Sequence, residues 1–473
     1  MKTRLPSIIA SALAASLLAS LPATASAQSA QERLEARYDR ALAAGYKALF
    51  LCSATANAEA NGASRTPESI HAWELTGIQS PLDDIVRELE YNIVRRPSGQ
   101  VGHVEVKWAD DMPPRIAAYY GPLTGCSIMP VGMKADVLNS SSASPMPPVS
   151  AGERIWTKGE TASAAMLAAG DAAFDGTYGE GSRTTAVLVI KDRALTHEKY
   201  AQGFDRRTPQ RTWSVAKSIA ATLVGMAVQS REYSVDDPIL IQNWLSGGDT
   251  DPRNAITIDL ALRMASGRYS DTAGNRTDPI YWGGTSVAES ISKWPAIHKP
   301  GTVYRYANND TLLAVKAIEQ YLEYYSASAL IRKVGMNDTV IETDSRGGYV
   351  LSSQVWSTAD DLAKLGQLYL DNGVWDGERI LPENWREYVS DPKGPQPQGT
   401  DWGYGAGWWT FSRPEGNAFD GIPDDAFAAR GNRGQYVVVV PSRNVVIVRR
   451  GEDMVGTRFD IAAFTRDVLA ALD

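Results

Sequence analysis

Arg211-Thr212-Trp213-Ser214-Val215-Ala216-Lys217-Ser218-Ile219-Ala220-Ala221-Thr222-Leu223-Val224-Gly225-Met226-Ala227-Val228 is the stretch on which the rest of the chain turns. Polar residues lead into a run that is apolar on every side, the mark of a helix in the middle of a domain. Ser214 stands where that helix should start, and serine is a good N-cap. Lys217 follows at i+3, so its amine shares one face of the first turn with the Ser214 hydroxyl. The free N–H groups of that turn and the positive end of the helix dipole point to the same place. A lysine there is partly desolvated in a positive field, which lowers its pKa toward neutrality. A deprotonated lysine could take the serine proton, and a serine with a neighbouring base is an acyl-transfer nucleophile.

The chain has 473 residues, room for two or three domains, and a net charge of −8. With no basic run, nucleic acid is not expected as the main partner. Residues 1–27 read as a secretory signal: Lys2 and Arg4, then apolar Ile8 to Leu21, then Ala25-Ser26-Ala27. This predicts a mature chain beginning at Gln28, periplasmic or secreted, with a retained anchor as the alternative. No later segment has the length of a membrane span. Export permits a bridge between Cys52 and Cys126, the chain's two cysteines; two buried thiols are the alternative. His71, His103, His197 and His298 lack metal-ligand spacing, so no metal site is expected.

Ala30 to Phe50 has helical spacing, and residues 51–133 read as strand-rich, with strands at Val101–Trp108 and Arg115–Tyr120. The Ser- and Pro-rich Leu138 to Glu153 is linker composition. It divides an N-terminal accessory region, 28–150, from a domain at 151–473. That domain should open with a helix at Thr161–Phe174 and a hairpin of Thr184–Ile190 with Ala194–Ala201. A helical part spans about 235–365, with helices at Ile256–Met264 (after Asn254), Ser286–Trp294, Asp310–Tyr325 and Thr358–Asp371. Strands return at 402–450, ending in the hairpin of Gln435–Pro441 with Asn444–Arg450, and Asp460–Leu472 closes as a helix. The fold class is α/β (α+β): an antiparallel sheet flanked by helices, with an all-helical insertion and an N-terminal α+β region.

Ser-x-x-Lys occurs three times, and context separates the copies. Ser390/Lys393 contains Pro392 and reads as a turn. Ser290/Lys293 reads as the solvated face of a short helix. Ser214 alone begins a long apolar helix. Tyr306-Ala307-Asn308 is the chain's single Tyr-x-Asn. It sits on a loop between Lys299-Pro300-Gly301 and the Asp310 helix, where functional side chains are often presented. A Tyr306 phenolate beside a lysine ammonium would be a general base; a packing aromatic with a capping Asn is the plainer alternative. In Ala429-Arg430-Gly431-Asn432-Arg433-Gly434-Gln435 two glycines allow close backbone approach. A backbone N–H there could form half of an oxyanion hole, the Ser214 amide being the other half. A simple Gly-containing loop is the alternative.

Trp213-Ser214-Val215-Ala216-Lys217-Ser218, Tyr306-Ala307-Asn308 and Gly431-Asn432-Arg433-Gly434-Gln435-Tyr436 together resemble the serine β-lactamase and penicillin-recognising fold. Met264-Ala265-Ser266-Gly267 and Tyr404-Gly405-Ala406-Gly407-Trp408-Trp409 add to the likeness. Within that fold the chain is most similar to class C β-lactamases and their esterase, D-aminopeptidase and 6-aminohexanoate-oligomer hydrolase relatives, over roughly residues 151–473. The resemblance implies a hydrolase for a small-molecule ester or amide, needing no cofactor. It makes Ser214 the nucleophile, with Lys217 and Tyr306 moving its proton and Asn308 orienting Lys217. It puts the oxyanion on the amides of Ser214 and Gln435, and substrate on Asn432, Arg433 and Gly434. The third motif of such proteins usually opens with Lys or His; here Asn432 stands there. Arg433 or Arg430 is then the candidate to restore positive charge, and an ester or small amide is favoured over a β-lactam. A sensing module without turnover and a D,D-peptidase are the competing readings.

Overall fold

The valine runs of the C-terminal hairpin explain the central sheet. In a computed structural model of the protein, which describes residues 22–140, 154–159, 162–269 and 278–473, both runs are buried on both faces. Val437, Val439, Val446 and Val448 point into one core, Val438, Val440, Val445 and Ile447 into the other. A strand alternates its side chains, so a continuous apolar run needs a helix layer on each side. The strands are β5 (Thr157–Lys158), β6 (Thr184–Lys191), β7 (Ala194–Tyr200), β8 (Gly403–Tyr404), β9 (Trp409–Thr410), β10 (Phe427–Gly431), β11 (Gln435–Val440) and β12 (Val445–Gly451). Their order is β8-β9-β10-β11-β12-β6-β7-β5. Seven are antiparallel; the short edge strand β5 runs parallel to β7. At the β6–β7 turn Asp192 and Arg193 both have positive φ, as a two-residue hairpin of right-handed twist requires.

The first helix is longer than expected. α1 (Pro22–Ala60) continues through 51–60, which the strand-rich reading had excluded. That segment is rich in alanine, the best helix former. The strands begin only with β1 (Tyr91–Arg95), β2 (Val101–Val106), β3 (Arg115–Tyr119) and β4 (Cys126–Ile128), an antiparallel sheet packed on α1. Cys52 of α1 and Cys126 of β4 form a disulfide. The predicted leader lies largely outside the described residues, as do most of the Ser- and Pro-rich linker and residues 270–277. No described helix is long and apolar enough to cross a membrane.

On the main sheet, α2 (Ala164–Ala172) and the C-terminal helix pack on one face. The other face carries α3 (Val215–Gln229) and α5 (Ala359–Leu370), with α4 (Asn308–Ala317) beside α3. The insertion is not all helical. Val340–Ile341 and Val355–Ser357, both β-prone, pair with each other, and the second also pairs with Gln210–Arg211. This small sheet delivers the chain to Ser214. The helix expected over 310–325 breaks at Ile318, which leaves helical geometry with its side chain buried. The Ile258–Leu262 helix is capped by Thr257 rather than Asn254. Ser290 is buried, not solvated, because its face of the short helix packs on Asn309.

Glu342 joins the N-terminal region to the small sheet. Its buried carboxylate accepts from Ser53 Oγ (3.0 Å), Asn57 Nδ2 (3.2 Å), the Cys126 amide (2.9 Å), Gln354 Nε2 (2.7 Å) and Trp356 Nε1 (3.1 Å). Burial pushes its pKa up, and these hydrogen bonds hold it down. Three donors come from the N-terminal region and two from the segment pairing with Gln210–Arg211. Glu342→Ala should therefore lower stability by roughly 3 kcal/mol, since it strands buried donors on both sides. The urea unfolding midpoint checks this.

Candidate active site

Trp213 precedes α3 with φ of 49°, a left-handed conformation uncommon for a bulky residue. It is held there by packing: Phe50 lies 6.0 Å from its ring and Trp282 6.5 Å. Ser214 occupies the N-cap position, but its side chain makes no capping bond. The hydroxyl is left for other partners. Lys217 Nζ lies 3.1 Å from Ser214 Oγ. The same amine donates to Asn308 Oδ1, and to the Ser352 carbonyl at 2.8 Å. No carboxylate pairs with Lys217 among the described residues. Burial lowers its pKa well below the usual lysine value.

Stoichiometry of protons then defines the site. A neutral amine has two N–H groups and one lone pair; an ammonium has three donors. Asn308 and Ser352 each take one N–H. The third direction, toward Ser214, is a lone pair in the neutral form and an N–H in the charged form. Loss and gain of the Ser214 proton needs no movement of Lys217.

Tyr306 stands on the other side of the serine. Lys217 Nζ is 5.0 Å from its ring centroid, and its hydroxyl is hydrogen-bonded to Ser214. Tyr404 and Trp409 wall its ring at 6.1 and 5.7 Å. Burial pushes the phenol pKa up, and the Ser214 bond only partly opposes this. Burial thus favours the neutral phenol over the phenolate that the sequence suggested.

Two glycines let backbone close on Ser214 and its helix. A Cβ on Gly431 would lie 2.3 Å from the Thr212 carbonyl oxygen and 3.2 Å from the Ser214 amide nitrogen. At Gly407 it would meet Ala221 Cβ at 2.8 Å. β10 thereby ends beside the Ser214 amide, with Gln435 as Gly431's cross-strand partner.

The cavity above Ser214 measures about 1130 Å³. Ser214, Tyr306, Asn308, Asn432 and Arg430 line one side. Arg433, Gly434 and Gln435 lie behind that wall. Arg433, expected on the substrate, does not line the cavity. Its buried guanidinium pairs with Glu452 at 2.6 Å and donates to the carbonyls of Trp73 (2.8 Å), Thr76 (2.9 Å) and Gly77 (3.2 Å). The Gln435 side chain is equally occupied, accepting from Arg450 (2.6 Å) and donating to the Gly451 carbonyl. Arg430 is the guanidinium that does reach the cavity, stacked on Trp402 (4.2 Å) and Trp409 (4.8 Å).

Residue spacing did not reveal the Ser352 carbonyl, or Tyr281, whose hydroxyl lies 2.8 Å from Ser352 Oγ. Nor did it reveal the opposite wall, built by residues 35–42 and 79–82 of the N-terminal region. A helical stripe at Glu35, Tyr38, Asp39 and Leu42 was the available signal.

Residues 171–472 match the beta-lactamase family. The chain belongs to that family, whose members are usually serine hydrolases. It is 24% identical over 303 residues to the 6-aminohexanoate-dimer hydrolase of Paenarthrobacter ureafaciens, covering 57% of this chain and 73% of that one. A solved Bacillus anthracis structure, provisionally named a 6-aminohexanoate-dimer hydrolase, superposes with a TM-score of 0.50 at 19% identity. It covers 62% of this chain and 79% of its own. The octameric penicillin-binding protein homologue of Pyrococcus abyssi gives 0.46 at 20% identity, covering 62% and 73%. The fold is β-lactamase-like, helices on an antiparallel sheet, with the N-terminal helix-and-sheet region added.

Proposed function

We propose that this protein is an exported serine hydrolase that cleaves an ester or amide bond through an acyl-enzyme on Ser214. One observation carries the reading: a buried Lys217 with two neutral acceptors and its third direction on the serine hydroxyl. As Oγ attacks the carbonyl carbon, neutral Lys217 takes its proton. The oxyanion develops at the start of α3, where the Ser214 amide and the Gln435 amide are the proposed donors. Tyr306, a neutral phenol within reach of the same oxygen, gives a proton to the leaving group and regains one from Lys217. Water then attacks the acyl carbon by the reverse proton path and restores Ser214.

Asn432 in place of a cation supports an ester or small amide over a β-lactam, and the named dimer hydrolase is a relative of that amide class. Export is supported by the leader composition and by the buried disulfide, which suits an oxidising compartment. A binding or sensing module is the second reading, favoured by the same neutral Asn432.

A fluorophosphonate probe should label Ser214, mapped by peptide mass spectrometry, and should leave Ser214→Ala untouched. Adduct elsewhere contradicts the proposal, and acyl-enzyme that persists for hours moves the balance to sensing. Tyr306→Phe should reduce kcat/KM for p-nitrophenyl butyrate by about 10²–10⁴-fold; unchanged turnover removes Tyr306 from the proton path.

A further inference from the structure

The wall facing Ser214 comes from outside the family match. It consists of one stripe of α1 and the 79–82 turn, whereas the match begins at residue 171. Glu35, Tyr38, Asp39 and Leu42 are spaced i, i+3, i+4, i+7, so one helix face looks into the cavity. The same face runs on into the core, where Tyr46 stacks on Phe50 (4.3 Å) and meets Trp282 edge-on (4.8 Å).

This wall is bolted to the catalytic half at several points. Arg115 donates to the Ala41 carbonyl (2.6 Å) and the Trp282 carbonyl (2.8 Å). Arg433 grips the carbonyls of Trp73, Thr76 and Gly77, and the Val455 amide donates to the Gly77 carbonyl at 2.8 Å. This side of the cavity is therefore preformed.

Its chemistry is specific. Tyr38 is 46% exposed and Val455 61%, large apolar surface left open at the mouth of the cavity. Apolar surface exposed beside a catalytic cleft marks where a ligand is covered. Pro81 adds exposed apolar surface beside them, with Leu42 and Leu82 buried beneath. Within it sits Asp39, half-buried, with no hydrogen-bond or ion-pair partner among the described residues. With Glu35 it makes this wall negative, while Arg430, the guanidinium of the same cavity, lines the Ser214 side, so an anion is disfavoured at this wall.

We propose that the N-terminal region is the substrate-selecting half of the active site. It holds the part of the substrate remote from the scissile bond, favours an apolar chain or ring there, and rejects an anionic one. The proposal rests on the hydrolase reading above.

Two ester series test it, one varying the acyl group and one the leaving group. The first uses p-nitrophenyl acetate, hexanoate and hydrogen adipate. The second uses the acetates of phenol, 2-naphthol and 6-hydroxy-2-naphthoic acid. In Tyr38→Ala the preference for the larger apolar group over the small one, as a ratio of kcat/KM values, should fall about tenfold in one series. In Asp39→Asn the ratio of the anionic to the matched neutral ester should rise about tenfold in that series. A gain toward anions is not what a merely structural loss would produce. Ratios unmoved in both series, or a uniform fall for every ester, overturn the proposal. Wild-type protein inert to all six esters, with Ser214 unlabelled, contradicts the hydrolase reading instead.

Discussion

Everything at this site depends on a lysine amine buried with no counter-carboxylate among the described residues. Such a group keeps its charge only at high cost. The chain answers with neutral acceptors, Asn308 Oδ1 and the Ser352 carbonyl, supplied by separate elements. The start of α4 brings the first. The segment leading into Val355–Ser357 brings the second, and that strand pairs with the residues just before Ser214. The small sheet, the strained Trp213 and the glycine contacts all serve one alignment.

A second constraint is the union of two regions into one core. Glu342 collects donors from both, and Arg433 reaches across to three N-terminal carbonyls. These groups are buried and mutually satisfied, so the regions cannot separate without stranding charge. The segment that carries Ser352 and the cavity's far wall are thereby fixed by the same set of contacts. That is preorganisation by packing, which suits a site built on rigid elements.

Much of this was legible in the residues. Ser214 and Lys217 stood out because an apolar run with a polar start has one sensible placement. The C-terminal hairpin was plain from its valines, though not its burial on both faces, and the glycines at 431 and 434 marked a place of close backbone approach. Arg433 was misjudged for a physical reason: its partners, Trp73 to Gly77 and Glu452, are remote in sequence, and local spacing cannot show which way a long side chain turns. Tyr306 was expected as a phenolate because its lysine neighbour was visible and its burial was not. Helix 310–325 was drawn unbroken because Ile318 fits the helical period while its backbone does not. The wall at 35–42 and 79–82 depends on how α1 packs, which no motif encodes.

The central claim is that Lys217 rests neutral and accepts the Ser214 proton. Its side-chain amine can be followed by ¹⁵Nζ NMR across pH, assigned with Lys217→Arg. A neutral resting base predicts titration well below the ordinary lysine value of about 10.4. The rate of Ser214 acylation should rise with pH through that same point, because only the deprotonated amine accepts. Titration at or above the ordinary value, or acylation indifferent to that ionisation, would contradict the account.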